Sequence, residues 1–455
     1  MPAATPQSPA EIDLILESMP PAAAYPFRER GSDAPVRYLY REGSILVREQ
    51  DIGTVQEVLN QIGLGAEAGE PPEIIYAGRR RRPGVIPVVQ GVARLIWSRR
   101  DEESRVPTVL EQIDAELGVG VARPDHLLVV ASHPCPATEP ELPGQAGPFP
   151  GVATDFRCSG RGAVVSIVDT GLAPDATTHD WLADVTGDPD RLIADGAIQH
   201  FGGHGTFVAG CLRCIAPRAS VRVEGSLTIT VGDRSLTTTG AGFESDLAAQ
   251  MVDALQRDPD VMVLTFATET REDLSLLGFD AAFESRLRHA KGLAFLAPAG
   301  NDSSASRQWP AAFDWVISVG ALSADWRARA DFSNYGRWVD VFAPGEDLVN
   351  ALATGRYTYV VPPKTNTTQD FAGMARWSGT SFSTPIVAGL IAARMSATGE
   401  SGRAAAESLL RLARSQFIPG VGAVLFPDQA CCDAPSGTAR RCCCHPQRRC
   451  TCGHH

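Results

Sequence analysis

The stretch GGHGTFVAG, residues 202–210, sets a histidine between two glycines at the start of a predicted helix. The small apolar residues that follow His204 are typical of a helix that packs closely beneath a sheet. A single histidine at such a place is most often a helix cap or a satisfied, half-buried side chain. The segments on either side of this stretch decide between that interpretation and a titratable group used in chemistry.

Apolar runs alternate with helical patterns around this stretch, from residue 151 to residue 420. Strands that are covered on both faces read as nearly continuous apolar runs, and four such runs are present, at 163–168, 261–266, 293–298 and 316–319. Helical patterns lie near 205–215, 243–257, 276–291, 382–395 and 402–413, and residues 352–377 indicate an irregular or hairpin excursion. The alternation predicts an α/β fold, a doubly wound, mostly parallel sheet with helices on both faces.

Three polar residues stand at the ends of these elements, where such folds gather their ligands. Asp169 directly follows the apolar run in VSIVDTG (165–171). His204 and Ser381 begin helices, the latter in SGTSFSTPIVAG (378–389). A serine hydroxyl becomes a good nucleophile only when a base takes its proton, which is a task for a histidine. A buried carboxylate fixes the imidazole tautomer and stabilises the imidazolium. The pattern therefore predicts an Asp-His-Ser triad.

Two further features fit an acyl-transfer site. Ser381 at a helix N-terminus places backbone N–H groups and the positive end of the helix dipole where an oxyanion would form. Asn301, on the turn after LAFLAPAG (293–300), can supply a second donor from its side-chain amide. We expect Gly203 and Gly205 to let a substrate backbone approach the imidazole.

These four segments resemble those of the subtilisin-like serine proteases (subtilases) over about residues 155–415. The resemblance implies a subtilisin-like fold and a serine endopeptidase in which Asp169, His204 and Ser381 are catalytic and Asn301 is an oxyanion donor. It also implies a substrate cleft lined by Thr265, Phe266, Ala267 and Gly300. Many subtilases have Ser-Leu-Gly at the first three of these positions, so the methyl group of Ala267 narrows the space for a substrate side chain.

Residues 37–132 predict a small α+β domain that precedes the larger one. Strand patterns near 44–48, 73–76, 92–97 and 126–131, with helical patterns at 52–62 and 106–117, give the ferredoxin-like order β-α-β-β-α-β. The resemblance implies that this unit is a prosegment, an intramolecular chaperone and inhibitor. An unrelated accessory domain is the alternative. Residues 1–36 are predicted to be a disordered lead. Residues 133–150 contain six prolines and are predicted to be a linker.

The last segment, residues 421–455, is a Cys-rich tail that holds seven of the eleven cysteines. Adjacent cysteines cannot all converge on one tetrahedral ion, so the spacing favours a redox-sensitive tail over a zinc site. No metal ligand and no required cofactor are predicted, and structural calcium is left open.

Composition excludes several partners. The net charge of −12 argues against nucleic acid, and no apolar stretch approaches the 18 residues of a membrane span. The start of the chain does not read as a secretory signal, so we expect a cytoplasmic protein, with export by an unrecognised route as the alternative. The expected partners are a polypeptide substrate and the chain's own N-terminal domain. The rival interpretation is a catalytically silent peptide-binding subtilase homologue. The presence of all four groups, those of Asp169, His204, Ser381 and Asn301, argues against it.

Overall fold

We describe the fold from a computed structural model, in which the described residues are 9–17, 24–28, 36–64, 85–99, 101–130, 138–144, 146–154, 159–227, 229–231, 234–236, 240–290 and 292–431. The chain begins with helix α1 (Pro9–Glu17) and strand β1 (Ala24–Arg28). The next six elements are β2 (Val36–Arg48), α2 (Ile52–Gln61), β3 (Val85–Val89), β4 (Val92–Ile96), α3 (Val106–Leu117) and β5 (Ala122–Val130). The last four strands form an antiparallel sheet in the order β5-β2-β4-β3, and β1 pairs with β2.

Both helices of this N-terminal unit pack on the sheet through one apolar stripe. Helix α3 buries Val106, Val109, Leu110 and Ile113, and α2 buries Val55, Val58 and Leu59. Spacings of three and four residues place these side chains on one face of each helix. Because this pattern is local, the predicted bounds of the two helices agree with the observed ones within a residue.

Residues 9–17 and 24–28 differ from the predicted disordered lead, since they form α1 and β1. Ile12 and Ile15 of α1 are buried in a cluster with Leu39 and Leu127. Their helical spacing gives α1 an apolar face, and that face packs on the N-terminal unit. The predicted strand at 73–76 lies outside the described residues, and β3 is the second strand of the observed order.

The larger domain is built on a parallel sheet of seven strands. The strands of the larger domain, those of this sheet included, are β6 (Val164–Asp169), β7 (Thr186–Gly187), β8 (Ile193–Ala194), β9 (Ala197–Ile198), β10 (Ser220–Gly225), β11 (Ile229–Val231), β12 (Arg234–Leu236), β13 (Ala241–Phe243), β14 (Val261–Leu264), β15 (Phe266–Ala267), β16 (Ala294–Pro298), β17 (Val316–Leu322), β18 (Val341–Pro344), β19 (Leu348–Thr358) and β20 (Thr368–Trp377). Its helices are α4 (His204–Ile215), α5 (Glu244–Ala254), α6 (Leu277–Ser285), α7 (Thr380–Thr398) and α8 (Gly402–Ser415). The sheet order is β18-β17-β16-β14-β6-β10-β7.

Helices cover both faces of this sheet, as the apolar runs predict. Val261 and Val263 of β14 join a core with α4, α7 and α8, whereas Met262 and Leu264 join one with α5 and α6. Successive side chains of a strand point to opposite faces, so the two cores lie on opposite sides of the sheet. Strands β19 and β20 form the antiparallel hairpin expected near 352–377.

Two predicted boundaries differ from the structure. Residues 138–144 and 146–150 of the predicted linker contact the larger domain, where Phe149 exchanges backbone hydrogen bonds with Val349 (2.8 and 3.1 Å). At the other end, Leu425 is buried and its N–H donates to the carbonyl of Phe342, so the domain continues past residue 420. Extended segments without helical or alternating periodicity carry no local signal for such contacts.

No helix within the described ranges is both long enough and apolar enough to cross a membrane.

Candidate active site

Asp169 and His204 form a buried pair where β6 ends and α4 begins. Nδ1 of His204 lies 2.9 Å from each carboxylate oxygen of Asp169, and both side chains are at most 1% exposed. The Thr170 N–H (2.6 Å) and the Thr265 hydroxyl (2.5 Å) donate to the same carboxylate. With Nδ1–H donated to Asp169, Nε2 is the nitrogen that can accept a proton. It has no hydrogen-bond partner in the described part of the chain.

Ser381 lies in the first turn of α7 and opens into the same cavity as His204. The cavity has an empty volume of about 390 Å³ and is lined in part by His204, Ser381, Trp377 and Phe382. The Ser381 hydroxyl is buried and has no partner among the described residues. The first N–H groups of a helix have no carbonyl partner within it, so the backbone N–H of Ser381 has no acceptor inside α7.

The amide of Asn301 is held so that its nitrogen is the available end. Its Oδ1 accepts from both the N–H (2.9 Å) and the hydroxyl (2.8 Å) of Thr380, the residue before Ser381. Its Nδ2 is buried, and no acceptor for it occurs in the described ranges. Gly300, predicted in the cleft, lies in the same turn, and its N–H donates to the Thr380 hydroxyl (3.2 Å).

Aromatic rings surround the imidazole. The ring centroid of His204 lies 5.1 Å from that of Phe382 and 5.6 Å from that of Trp377. Such rings exclude water from the imidazole, which strengthens its bond to Asp169. No motif in the sequence predicts Trp377 at this site, because it lies at the end of β20 and before the serine segment.

The glycines beside His204 serve packing, and the predicted approach of a substrate backbone does not explain them. A β-carbon on Gly205 would lie 2.4 Å from the carbonyl oxygen of Gly171 and 3.2 Å from Cβ of Asp169. Gly203 has a φ of +81°, and its β-carbon would lie 2.6 Å from Leu352. Glycine at 205 therefore lets α4 approach the end of β6, and glycine at 203 allows a left-handed backbone that lies against β19.

Residues 265–267, which were predicted to line the substrate cleft, have two different roles. Thr265 donates its hydroxyl to Asp169 and to the carbonyl of Val168 (2.9 Å), so it holds the carboxylate. Phe266 and Ala267 form β15, which pairs antiparallel with Val130 and Val129 of β5. On the other edge of β5, residues Leu127–Val129 pair with β13, and the Val130 N–H donates to the Gly240 carbonyl (2.8 Å).

The end of the N-terminal unit thus lies as a strand between β13 and β15 of the larger domain. An extended peptide that adds a strand to a sheet gains main-chain hydrogen bonds on each edge, which is how many peptide-binding sites hold their ligands. Leu128 and Val130 point into the core beside α5, and both are fully buried.

Buried polar groups hold the N-terminal unit on α5. Asp125 accepts from the N–H (2.9 Å) and hydroxyl (2.8 Å) of Ser245 in the first turn of that helix. Glu244 lies 3.0 Å from Nδ1 of His126, and burial raises the pKa of the Glu244 carboxyl. A carboxylate at a helix N-terminus interacts favourably with the helix dipole, so Asp125 stabilises α5 from outside the domain.

The far side of the cavity is formed by residues 138 and 139. The carbonyl of Thr138 accepts from the indole N–H of Trp377. The buried carboxylate of Glu139 accepts from the Tyr357 hydroxyl (3.0 Å) and from the N–H groups of Val360 (2.7 Å) and Val361 (3.1 Å). The chain therefore contacts the larger domain both at β5, between β13 and β15, and at residues 138–139 beside the cavity.

Within the described ranges, no group of three or more His, Cys, Asp or Glu side chains is placed to hold a metal ion. The Cys-rich tail after residue 431 lies outside those ranges.

The parallel sheet, with an Asp–His pair and a helix-borne serine beyond its strand ends, is the arrangement of an α/β serine hydrolase. A family model described as "Subtilase family" matches residues 160–416, more than half of the chain, so the chain belongs to the subtilase family.

Curated relatives agree with this assignment. The chain is 30% identical over 252 residues to the thermophilic serine proteinase of Bacillus sp. (strain AK1), covering 55% of this chain and 56% of that protein. It is 27% identical over 237 residues to subtilisin DY of Bacillus licheniformis, covering 51% and 76%. The chain spans little more than half the length of the first of these relatives.

A solved structure shows the same fold. Fervidolysin from Fervidobacterium pennivorans, a keratinolytic enzyme related to subtilisin, matches with a TM-score of 0.55 at 18% identity. The match covers 91% of this chain and 64% of that one, so it reaches beyond the residues that the family model matches.

Proposed function

We propose that this protein is a serine endopeptidase that hydrolyses polypeptides through an acyl-enzyme on Ser381. Asp169 holds His204 with Nε2 free to accept a proton, and His204 takes the Ser381 hydroxyl proton as the oxygen attacks the scissile carbonyl. His204 then gives that proton to the leaving amine. A water molecule repeats the sequence to release the acid and restore Ser381.

The oxyanion of each tetrahedral intermediate is stabilised by donors that are already oriented. Nδ2 of Asn301 is one donor, since Thr380 holds the other end of the amide. The backbone N–H of Ser381, at the start of α7, is the second. Preorganised donors of this kind usually contribute the largest electrostatic part of the rate enhancement.

The observation that carries the proposal is a set of three buried polar atoms without partners in the described residues. They are His204 Nε2, Ser381 Oγ and Asn301 Nδ2. A buried polar atom left without a partner costs about 1–3 kcal/mol, so a fold gains nothing in stability from keeping three together. A bound substrate would give each of them a partner.

A serine-directed fluorophosphonate probe tests the proposal. Wild type should be labelled, and Ser381→Ala should not be. Ser383→Ala is the matched control, because Ser383 also has a buried hydroxyl without a described partner and lies in the same turn of α7. A folded wild type that binds peptides but takes no label would favour the catalytically silent peptide-binding homologue.

We also propose that the N-terminal unit inhibits the site. Its support is β5, which already forms the strand between β13 and β15 where an extended substrate would pair. The isolated unit, added to processed enzyme, should compete with peptide substrates. Noncompetitive inhibition would contradict this role.

A further inference from the structure

Asp190 is a buried carboxylate that no motif in the sequence singles out. It follows β7 and is 2% exposed. Its Oδ2 accepts from the Thr170 hydroxyl (2.9 Å) and from the N–H of Gly203 (2.8 Å), and its Oδ1 accepts from the N–H of Leu192 (2.9 Å). One carboxylate thus contacts the residue after Asp169 and the residue before His204.

The Thr170 hydroxyl extends this network to the other side of His204. While it donates to Asp190, it accepts from the N–H of Gly205 (3.2 Å). The Thr170 N–H in turn donates to Asp169. The backbone on both sides of His204 and the backbone that follows Asp169 are therefore fixed to a single group.

We propose that Asp190 is a positioning residue for the reaction, which sets the alignment of His204 with Asp169 by holding Gly203 and Thr170 at a fixed separation. This inference rests on the proposed function of the site. Asp190 does not line the cavity, so it acts through its neighbours and not on substrate.

The ionised form of Asp190 is the one that matches this network. All three partners donate to it, and a bound proton would bring a fourth donor to a carboxyl that has only donors around it. The pKa of Asp190 is raised to about 6, because burial and, to a smaller degree, the charge of Asp169 outweigh the lowering by its N–H and O–H donors. Below about pH 6 the carboxyl takes up a proton, and the alignment of His204 should loosen.

Asp190→Asn tests the proposal, since the amide keeps the shape of the side chain but turns one acceptor into a donor. We expect kcat to fall by about 10- to 100-fold, the range typical for partners that orient a reactive histidine, with KM within about twofold. The acid limb of the pH–rate profile should also become less steep, because residue 190 would no longer take up a proton there.

Asp260→Asn is the matched control. Asp260 accepts from the N–H of Val164 (2.9 Å), at the opposite end of the same strand β6, and does not touch the site. This variant should keep the wild-type kcat and the slope of the acid limb. If Asp190→Asn does the same, the positioning role is wrong.

A second pair of variants covers a failure of Asp190→Asn to fold. Thr170→Val removes the hydroxyl between Asp190 and Gly205, and Thr170→Ser keeps it, so serine should restore the activity that valine loses. The low-field proton resonance of the His204 Nδ1–H should weaken in Thr170→Val. Because that signal does not depend on proteolysis, it separates this inference from the proposed function. Equal resonances in both variants would overturn the inference.

Discussion

Asn301 illustrates how the site is determined by single side chains. An amide can point either end at a ligand, and here two donors from Thr380 fix the oxygen. The nitrogen is therefore the end left to donate, and it has no acceptor among the described residues. Since the contact matters only once charge develops on the substrate oxygen, it should affect the transition state more than substrate binding.

We expect Asn301→Leu to lower kcat by about 10²–10³ while KM stays nearly unchanged, a magnitude carried over from the oxyanion asparagine of a subtilisin. Steady-state kinetics on a peptide substrate would measure it. Thr380→Val, which removes one of the two bonds that orient Asn301, should show a smaller fall. A change in kcat of less than about threefold for Asn301→Leu would remove Asn301 from the oxyanion site.

Elements fix the site through their close approach, and the contact between α4 and β6 is one example. Gly205→Ala places a methyl group 2.4 Å from the Gly171 carbonyl oxygen, so either α4 or the segment after β6 must move. Overpacking of this kind costs about 1–3 kcal/mol and would separate His204 from Asp169. The free energy of unfolding, measured with denaturant, and kcat should therefore both fall. Gly53→Ala, in α2 with open space around it, should be neutral or stabilising.

Helix α5 depends on a carboxylate from another unit. Asp125 is fully buried, bonds Ser245 of α5 and pairs with Arg41 (2.8 Å) and Arg94 (3.4 Å). Asp125→Ala would leave two arginines without this partner and the first turn of α5 uncapped. Since both arginines belong to the N-terminal unit, only the bonds to Ser245 cross the contact, and we expect the isolated N-terminal unit carrying this change to inhibit more weakly by about 1.5–3 kcal/mol of binding free energy, as for the loss of a hydrogen bond to a charged group. Inhibition constants would measure it.

The control for this change lies at the rim of the same contact. Arg37 is 45% exposed and pairs with Glu269 at 2.7 Å. Exposed pairs contribute about 0–1 kcal/mol, so Arg37→Ala should change inhibition little. Equal effects of the two variants would show that the buried carboxylate has no special part in holding the unit.

For the whole molecule, local patterns predicted the elements, and long-range contacts decided the rest. The bounds of α3 follow from four apolar residues at helical spacing, and Asp169 and His204 were found because they mark element ends. No local pattern shows that Thr265 and Asp190 hold the catalytic elements, since their partners lie 96 and 13 to 20 residues away. The position of β5 between two distant strands is equally invisible in the sequence.

The position at which the protein cuts itself should follow from where the chain contacts the larger domain. Val130 ends β5 between β13 and β15, and Thr138 lines the cavity that holds Ser381. The cut should therefore fall between these residues, before Pro134, because a bond to proline lacks the N–H and the free φ that a scissile bond needs. A cut near residue 151 would instead discard residues 138–150, which contact the larger domain through Glu139 and Phe149.

Intact-mass analysis and N-terminal sequencing would locate the cut. Wild type should give a fragment beginning at residue 131, 132 or 133, and Ser381→Ala should stay at 48.4 kDa. Ser132→Pro should block or displace the cut, whereas Val152→Pro should leave it unchanged, since only the first change lies between Val130 and Thr138. A wild type that remains full length yet hydrolyses peptides would show that the N-terminal unit is an accessory domain and that β5 leaves the cleft without being cut.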